Sequence, residues 1–133
     1  PDVARLLAED KKLKIVYREM PILSQSSIDA ALASLAVAQQ GNYPAFHRAL
    51  YKAGKVTPQT IADAARAAGA DPSKVKAAQA SGALRSEIAA NLDIQQKLQL
   101  TGTPSWVVGD TVLNGAVGYD QLKAAIAAAR ARR

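Results

Sequence analysis

Thr101-Gly102-Thr103-Pro104-Ser105-Trp106-Val107-Val108 joins a long helical pattern to a short apolar run. Gly102 opens backbone conformations that residues with a side chain resist. Pro104 has no N–H to give to a ladder, so it belongs at the first residue of a strand or at an edge. Taken locally, the stretch is a helix-to-strand turn. The residues after it extend that reading. Ser105–Val108 is predicted as a strand, Gly109-Asp110 as a turn, and Thr111–Asn114 as the antiparallel return. Trp106 alternates with Val107 and is expected in the core. Gly115 and Gly118 bound a loop, and Tyr119 to Arg132 forms an Ala-rich closing helix with Leu122 and Ile126 facing in. Basic residues in its last turns suit the negative end of the helix dipole.

Upstream of Thr101 the pattern is helical. Ala83 to Gln99 carries Leu84, Ile88, Leu92 and Gln95 near four-residue spacing. Asp71-Pro72 and Thr57-Pro58 each place a capping side chain before a proline, a strong helix start. Tyr43 to Ala53 is a further helix, with Phe46, Leu50 and Tyr51 expected inward and Gly54 just past its end. Ser26 or Ser27 caps a helix bearing Ile28, Leu32, Leu35 and Ala36 on one face. Leu13 to Met20 has alternating apolar residues and reads as a strand, ended by Pro21. Asp2 to Asp10 reads as a short helix behind Pro1. The order is helix, strand, a block of helices, a hairpin and a helix. It indicates an α/β fold with helices packed on a thin sheet.

Composition narrows the chemistry. The chain has 133 residues, which points to one domain able to bury a core without disulfides or metal. It has no cysteine, so these residues hold no disulfide, no thiolate metal site and no cysteine nucleophile. No apolar run is long enough for a membrane helix. The net charge is +6, but the basic residues are dispersed and are not interleaved with aromatics as a base-stacking surface requires. A solvated basic surface is the simpler reading, and no nucleic-acid partner is expected. His47 is the only histidine and has no Asp, Glu or Cys near it in sequence. It is expected to be a packing or surface residue of its helix, and no metal site is predicted. Glu19 follows Arg18 near the end of the predicted strand. It is either a surface or Arg-paired carboxylate, or a buried proton acceptor.

Several segments together resemble the DsbA family of thioredoxin-fold thiol-disulfide oxidoreductases. Lys14-Ile15-Val16-Tyr17-Arg18-Glu19-Met20-Pro21-Ile22-Leu23 is similar to the family's second core strand and the segment leaving it. Ala45-Phe46-His47-Arg48-Ala49-Leu50-Tyr51 is similar to the first inserted helices. Thr101-Gly102-Thr103-Pro104 resembles the cis-proline loop. Val112-Leu113-Asn114-Gly115-Ala116, followed by Tyr119-Asp120-Gln121-Leu122, resembles the last strand and helix.

The resemblance implies a single thioredoxin-like, DsbA-type domain over 1–133, with an inserted helical region over about 24–99. The cis-Pro loop, hairpin and closing helix then occupy about 101–133. It also implies a mechanism in which a Cys-x-x-Cys pair at the start of the first helix has a lowered thiol pKa and exchanges with a substrate disulfide. Across from that pair, Thr103 offers backbone groups to an extended protein or peptide substrate, with Pro104 shaping the loop. The Thr103–Pro104 bond is predicted to be cis, a form that costs an X–Pro bond only about 0.5–1 kcal/mol. Glu19 would be a proton relay to the second cysteine. No cofactor is implied. The expected partners are protein substrates and a redox partner protein, in a periplasmic or secreted setting.

This sequence departs from the family at its front. Pro1 matches the proline that follows the cysteine pair, so the chain is expected to lack the pair, the first core strand and the start of the first helix. Without that strand, two inner edges lose their neighbour. A missing N-terminal segment, a strand from a partner in an edge-paired or strand-swapped oligomer, or direct pairing of the flanking strands would each answer this. The first is expected. By itself, the chain is expected to be inactive in disulfide exchange. The alternative is a redox-inactive thioredoxin-fold domain that binds peptides or acts as a chaperone.

Overall fold

The computed structural model describes residues 1–132. In chain order they form α1 (Asp2–Glu9), α2 (Gln25–Ala38), α3 (Tyr43–Ala53), α4 (Pro58–Ala67), α5 (Pro72–Gln79), α6 (Gly82–Lys97), β1 (Ser105–Val108), β2 (Thr111–Asn114) and α7 (Gly118–Ala131). The residues fall into two compact units. One joins Pro1–Arg18 to the stretch from Gln95 onward, and the other is Glu19–Ile94.

Local signals set most helix starts in the Glu19–Ile94 unit. Thr57 accepts from the Thr60 N–H at 3.1 Å while Thr60 Oγ1 accepts from the Thr57 N–H at 2.9 Å, a reciprocal cap ahead of Pro58. Asp71 Oδ1 accepts from the Ser73 N–H at 2.9 Å ahead of Pro72. The start of α2 differs from expectation. Its cap is Ser24, whose side chain accepts from the Ser27 N–H, so Ser26 and Ser27 lie inside the first turn. The core of this unit gathers Leu32, Ala33, Ala36 and Val37 of α2, Phe46 of α3, Ile61, Ala64 and Ala65 of α4, Val75 of α5, and Leu84 and Ile88 of α6. Phe46 and Val37 are its largest fully buried side chains. So many alanines on α2 and α4 let backbones approach closely around one aromatic anchor.

Tyr51 is a correction. It was expected inward beside Phe46 and Leu50, yet it is 76% exposed. At 3.6 residues per turn it lies about 140° around α3 from Phe46. It shares the row of Tyr43 and His47 instead, and its ring lies 4.5 Å from that of His47.

In the other unit, β1 and β2 pair antiparallel, with Ser105 opposite Asn114 and Val108 opposite Thr111. The turn passes through Gly109 at φ +59°, where a Cβ would come within 2.9 Å of the Ala129 Cβ on α7. Glycine is required there twice over, by the left-handed backbone and by the close approach of the helix. Trp106 is half-buried and donates its Nε1–H to the Gly115 carbonyl at 3.0 Å. Leu122 on α7 and Leu6 on α1 are buried. Polar contacts surround them. Tyr119 and Lys123 of α7 both donate to Glu9 of α1, and Arg130 reaches Asp10 at 2.6 Å. Arg5 lies over the Tyr119 ring, 3.7 Å from its centroid, and pairs with Glu9. The Tyr119 hydroxyl, and after it Arg5, hold the Glu9 carboxyl down to about 2.

The predicted strand Leu13–Met20 is not formed. Among the described residues the only sheet is the two-stranded β1–β2 ladder. Residues 13–20 run without regular secondary structure: Leu13 and Ile15 are half-buried, while Val16 is 64% exposed and Tyr17 49%. Alternation and β-branching made the segment look like a strand, but a strand exists only through its ladder, and no ladder partner is paired with it. The expected crossover from a first strand into the hairpin is therefore absent among the described residues.

Candidate functional site

The loop between α6 and β1 is braced almost residue by residue. The Thr101 N–H donates to Asn114 Oδ1 at 3.1 Å. The Ser105 hydroxyl donates to the Gly102 carbonyl at 2.6 Å. The Gly115 N–H donates to the Pro104 carbonyl at 2.9 Å, which prolongs the hairpin beyond β1 and β2. The Thr103–Pro104 bond is cis. Thr103 itself is exposed, and among the described residues neither its N–H nor its C=O has a hydrogen-bond partner. A fixed loop thus presents one backbone donor and one acceptor to the outside, the arrangement that pairs with an extended chain. Asn114 is the residue that reading the sequence overlooked here. Its side chain ties the loop's start to the end of β2, also approaching Ser105 Oγ at 3.2 Å.

In the Glu19–Ile94 unit, Glu19 is neither on the surface nor at the end of a strand. It is half-buried, and its Oε1 accepts from the Tyr43 hydroxyl at 2.8 Å. Ser34 of α2 also hydrogen-bonds its carboxyl. Its backbone carbonyl accepts from Asn91 Nδ2 of α6 at 3.1 Å. Asn91 and Ser34 are the buried polar side chains among the described residues, and both converge on Glu19. Burial pushes the Glu19 carboxyl above its ordinary range, against the bonds from Tyr43 and Ser34, which favour the anion.

His47 stands one turn along α3 from Tyr43. Its Nδ1 lies 3.4 Å from the Tyr43 hydroxyl, and the two rings stack at 5.6 Å between centroids. Burial, and then the neighbouring Arg48 guanidinium, lowers the His47 pKa. His47 has no acidic neighbour close to it along the chain, and Tyr43 links it to one that is distant in sequence. Nothing local announces this, because Tyr43 and Glu19 are 24 residues apart. The i, i+4 spacing of Tyr43, His47 and Tyr51 was the only signal available. Among the described residues, no group of three His, Cys, Asp or Glu side chains could hold a metal ion. No helix among them is long and apolar enough to cross a membrane.

Comparison with known proteins places this geometry. The sequence matches the family model of the DSBA-like thioredoxin domain over residues 1–127. A thioredoxin-like oxidoreductase from Silicibacter pomeroyi DSS-3 superimposes with a TM-score of 0.93 at 38% identity, over 98% of this chain and 76% of that one. Proteus mirabilis ScsC in a compact conformation gives 0.84 at 26% identity, over 97% and 72%. The thiol-disulfide exchange protein alpha-DsbA2 from Wolbachia pipientis gives 0.85 at 26%, over 96% and 70%. A comparison with curated proteins finds no match. With the family model spanning nearly the whole chain, and a thioredoxin-like oxidoreductase following its backbone so closely, the chain belongs to the DsbA-like thioredoxin-domain family of thiol-disulfide oxidoreductases.

Proposed function

We propose that the chain provides the substrate-binding side of a protein disulfide oxidoreductase, with Thr103 and Pro104 receiving an extended protein or peptide substrate. The observation that carries this is Thr103, exposed and without a hydrogen bond among the described residues, in a loop whose flanking residues are all bonded. A substrate strand laid beside it gains a donor and an acceptor that need no rearrangement. Glu19 is the proton acceptor for a redox thiol, supported by its burial and its bonds to Tyr43 and Ser34. The setting is periplasmic or secreted, by kinship with the family, and a redox partner protein belongs to the same reading.

These 133 residues carry no cysteine, so by themselves they form no mixed disulfide. The chain alone is expected to leave dithiothreitol-driven insulin precipitation unaccelerated, and acceleration would contradict this. The second reading, a redox-inactive peptide-binding or chaperone-like domain, draws on the same loop and the same lack of thiol. Both readings require Thr103 to bind. Thr103→Pro removes its N–H and is expected to weaken affinity for a cysteine-free extended peptide roughly twofold to tenfold, the net value of one hydrogen bond. Unchanged affinity would remove Thr103 from the site. The two readings separate on aggregation of reduced, unfolded protein, which only the chaperone-like domain suppresses at stoichiometric amounts.

A further inference from the structure

We infer that Asn114 is a further substrate-binding residue, whose side-chain Nδ2 group donates to a main-chain carbonyl of the extended chain beside Thr103. This rests on the reading of Thr103 as the substrate-binding position, and it adds a second point of contact along the same substrate chain.

The Asn114 carboxamide has its two ends in different places. Its Oδ1 accepts from the Thr101 N–H at 3.1 Å and lies 3.2 Å from Ser105 Oγ. The Thr101 N–H decides which way round the amide sits. Turned over, the group would set Nδ2, which can only donate, against another donor. Oδ1 is therefore committed to the loop, and Nδ2 is left over. Asn114 is exposed, and among the described residues Nδ2 has no hydrogen-bond partner. A surface asparagine ordinarily loses rotamer freedom when it takes up a ligand. Here β2 holds the backbone opposite Ser105, and the loop holds the oxygen. The next residue is fixed as well, since the Gly115 N–H donates to the Pro104 carbonyl and Trp106 Nε1 donates to the Gly115 carbonyl. The free donor is thus offered at little entropic cost.

Its distance from Thr103 is bounded by the chain. Thr101 and Ser105 each stand two residues from Thr103, at most about 7 Å of extended backbone. The Asn114 amide meets both of them, so it lies about one such span from the Thr103 backbone groups. An extended substrate turns its N–H and C=O to the same edge at every second residue, about 6.7 Å apart. With one substrate residue paired to Thr103, the next on that edge comes level with Asn114. Its carbonyl needs a donor, and Nδ2 is one. A main-chain carbonyl is the acceptor this spacing selects, because it recurs whatever the substrate's side chains.

The test titrates the ¹⁵N-labelled full chain with a short, blocked, uncharged peptide of Ser, Thr and Val. It follows the side-chain Nδ2 signals of Asn114 beside the backbone amide of Thr103. Both are expected to shift saturably with the same midpoint. A Thr103 shift with the Asn114 side chain unmoved would overturn the inference and leave the proposed function standing. No saturable shift at Thr103 would overturn both. Asn114→Asp supplies the second arm, since it keeps an oxygen for the Thr101 N–H and exchanges the free donor for an acceptor. It is expected to leave the exchange rate of the Thr101 amide unchanged and to weaken affinity for the peptide roughly twofold to tenfold, the net value of one hydrogen bond. Undiminished affinity would overturn the inference. So would a loss of affinity accompanied by faster Thr101 exchange, which would assign Asn114 to bracing the loop alone.

Discussion

The Glu19 carboxyl is placed where burial and hydrogen bonding oppose each other. Burial raises its pKa and is the larger effect, and the Tyr43 and Ser34 hydroxyls act in the opposite direction. The native state therefore holds the Glu19 proton more tightly than the unfolded chain does. Its protonation contributes stability that is fully present below the ordinary carboxylate pKa of 4.5 and is lost as pH rises through the raised value. Glu19→Gln, neutral at every pH and of the same volume, is expected not to lower Tm at about pH 7. It should also remove this group's share of the change in Tm between about pH 4 and pH 7. Thermal melts across that range check it, and an unaltered pH dependence would show that Glu19 titrates as an ordinary surface carboxylate. Reading the residues in order left that choice open. Burial depends on α2, α3 and α6 converging, and no property of Arg18-Glu19-Met20 reports that.

At the scale of elements, the helices were legible because their signals are local. Thr57-Pro58 and Asp71-Pro72 each mark a helix start to the residue, since the cap and the proline act within one turn. The limits of α3, β1 and β2 follow the same kind of signal, with Gly54 closing the helix and Gly109-Asp110 the hairpin. Apart from the α2 cap, which falls at Ser24, what failed was non-local or was read by residue type. Leu13–Met20 has the composition of a strand but joins no ladder among the described residues, and Tyr51 was assigned inward as an aromatic although its helical phase sets it with His47. The hairpin turn yields the sharpest prediction at this scale. Gly109→Ala places a Cβ at positive φ and against Ala129, and is expected to destabilise the protein by about 1–3 kcal/mol from backbone strain alone. Denaturant unfolding measures it. A loss below a few tenths of a kcal/mol would mean that the turn shifts away from α7 at little cost.

At the scale of the whole molecule, the family was legible from the order and spacing of four unremarkable segments, and the match over residues 1–127 agrees with it. No single segment was specific. Thr101-Gly102-Thr103-Pro104 is by itself an ordinary turn, and its meaning came from the long helix before it and the hairpin after it. The bracing by Asn114 and Gly115 could not be read in advance, because it needs the β2 register. The net charge of +6 proved uninformative about the fold, as expected for a property of surfaces. The proposed function rests most heavily on Thr103, so the direct test is at its backbone. When the ¹⁵N-labelled chain is titrated with a cysteine-free extended peptide, the largest saturable amide shift is expected at Thr103, with smaller ones confined to residues 101–106. Saturable binding that leaves Thr103 and its neighbours unmoved would contradict the account.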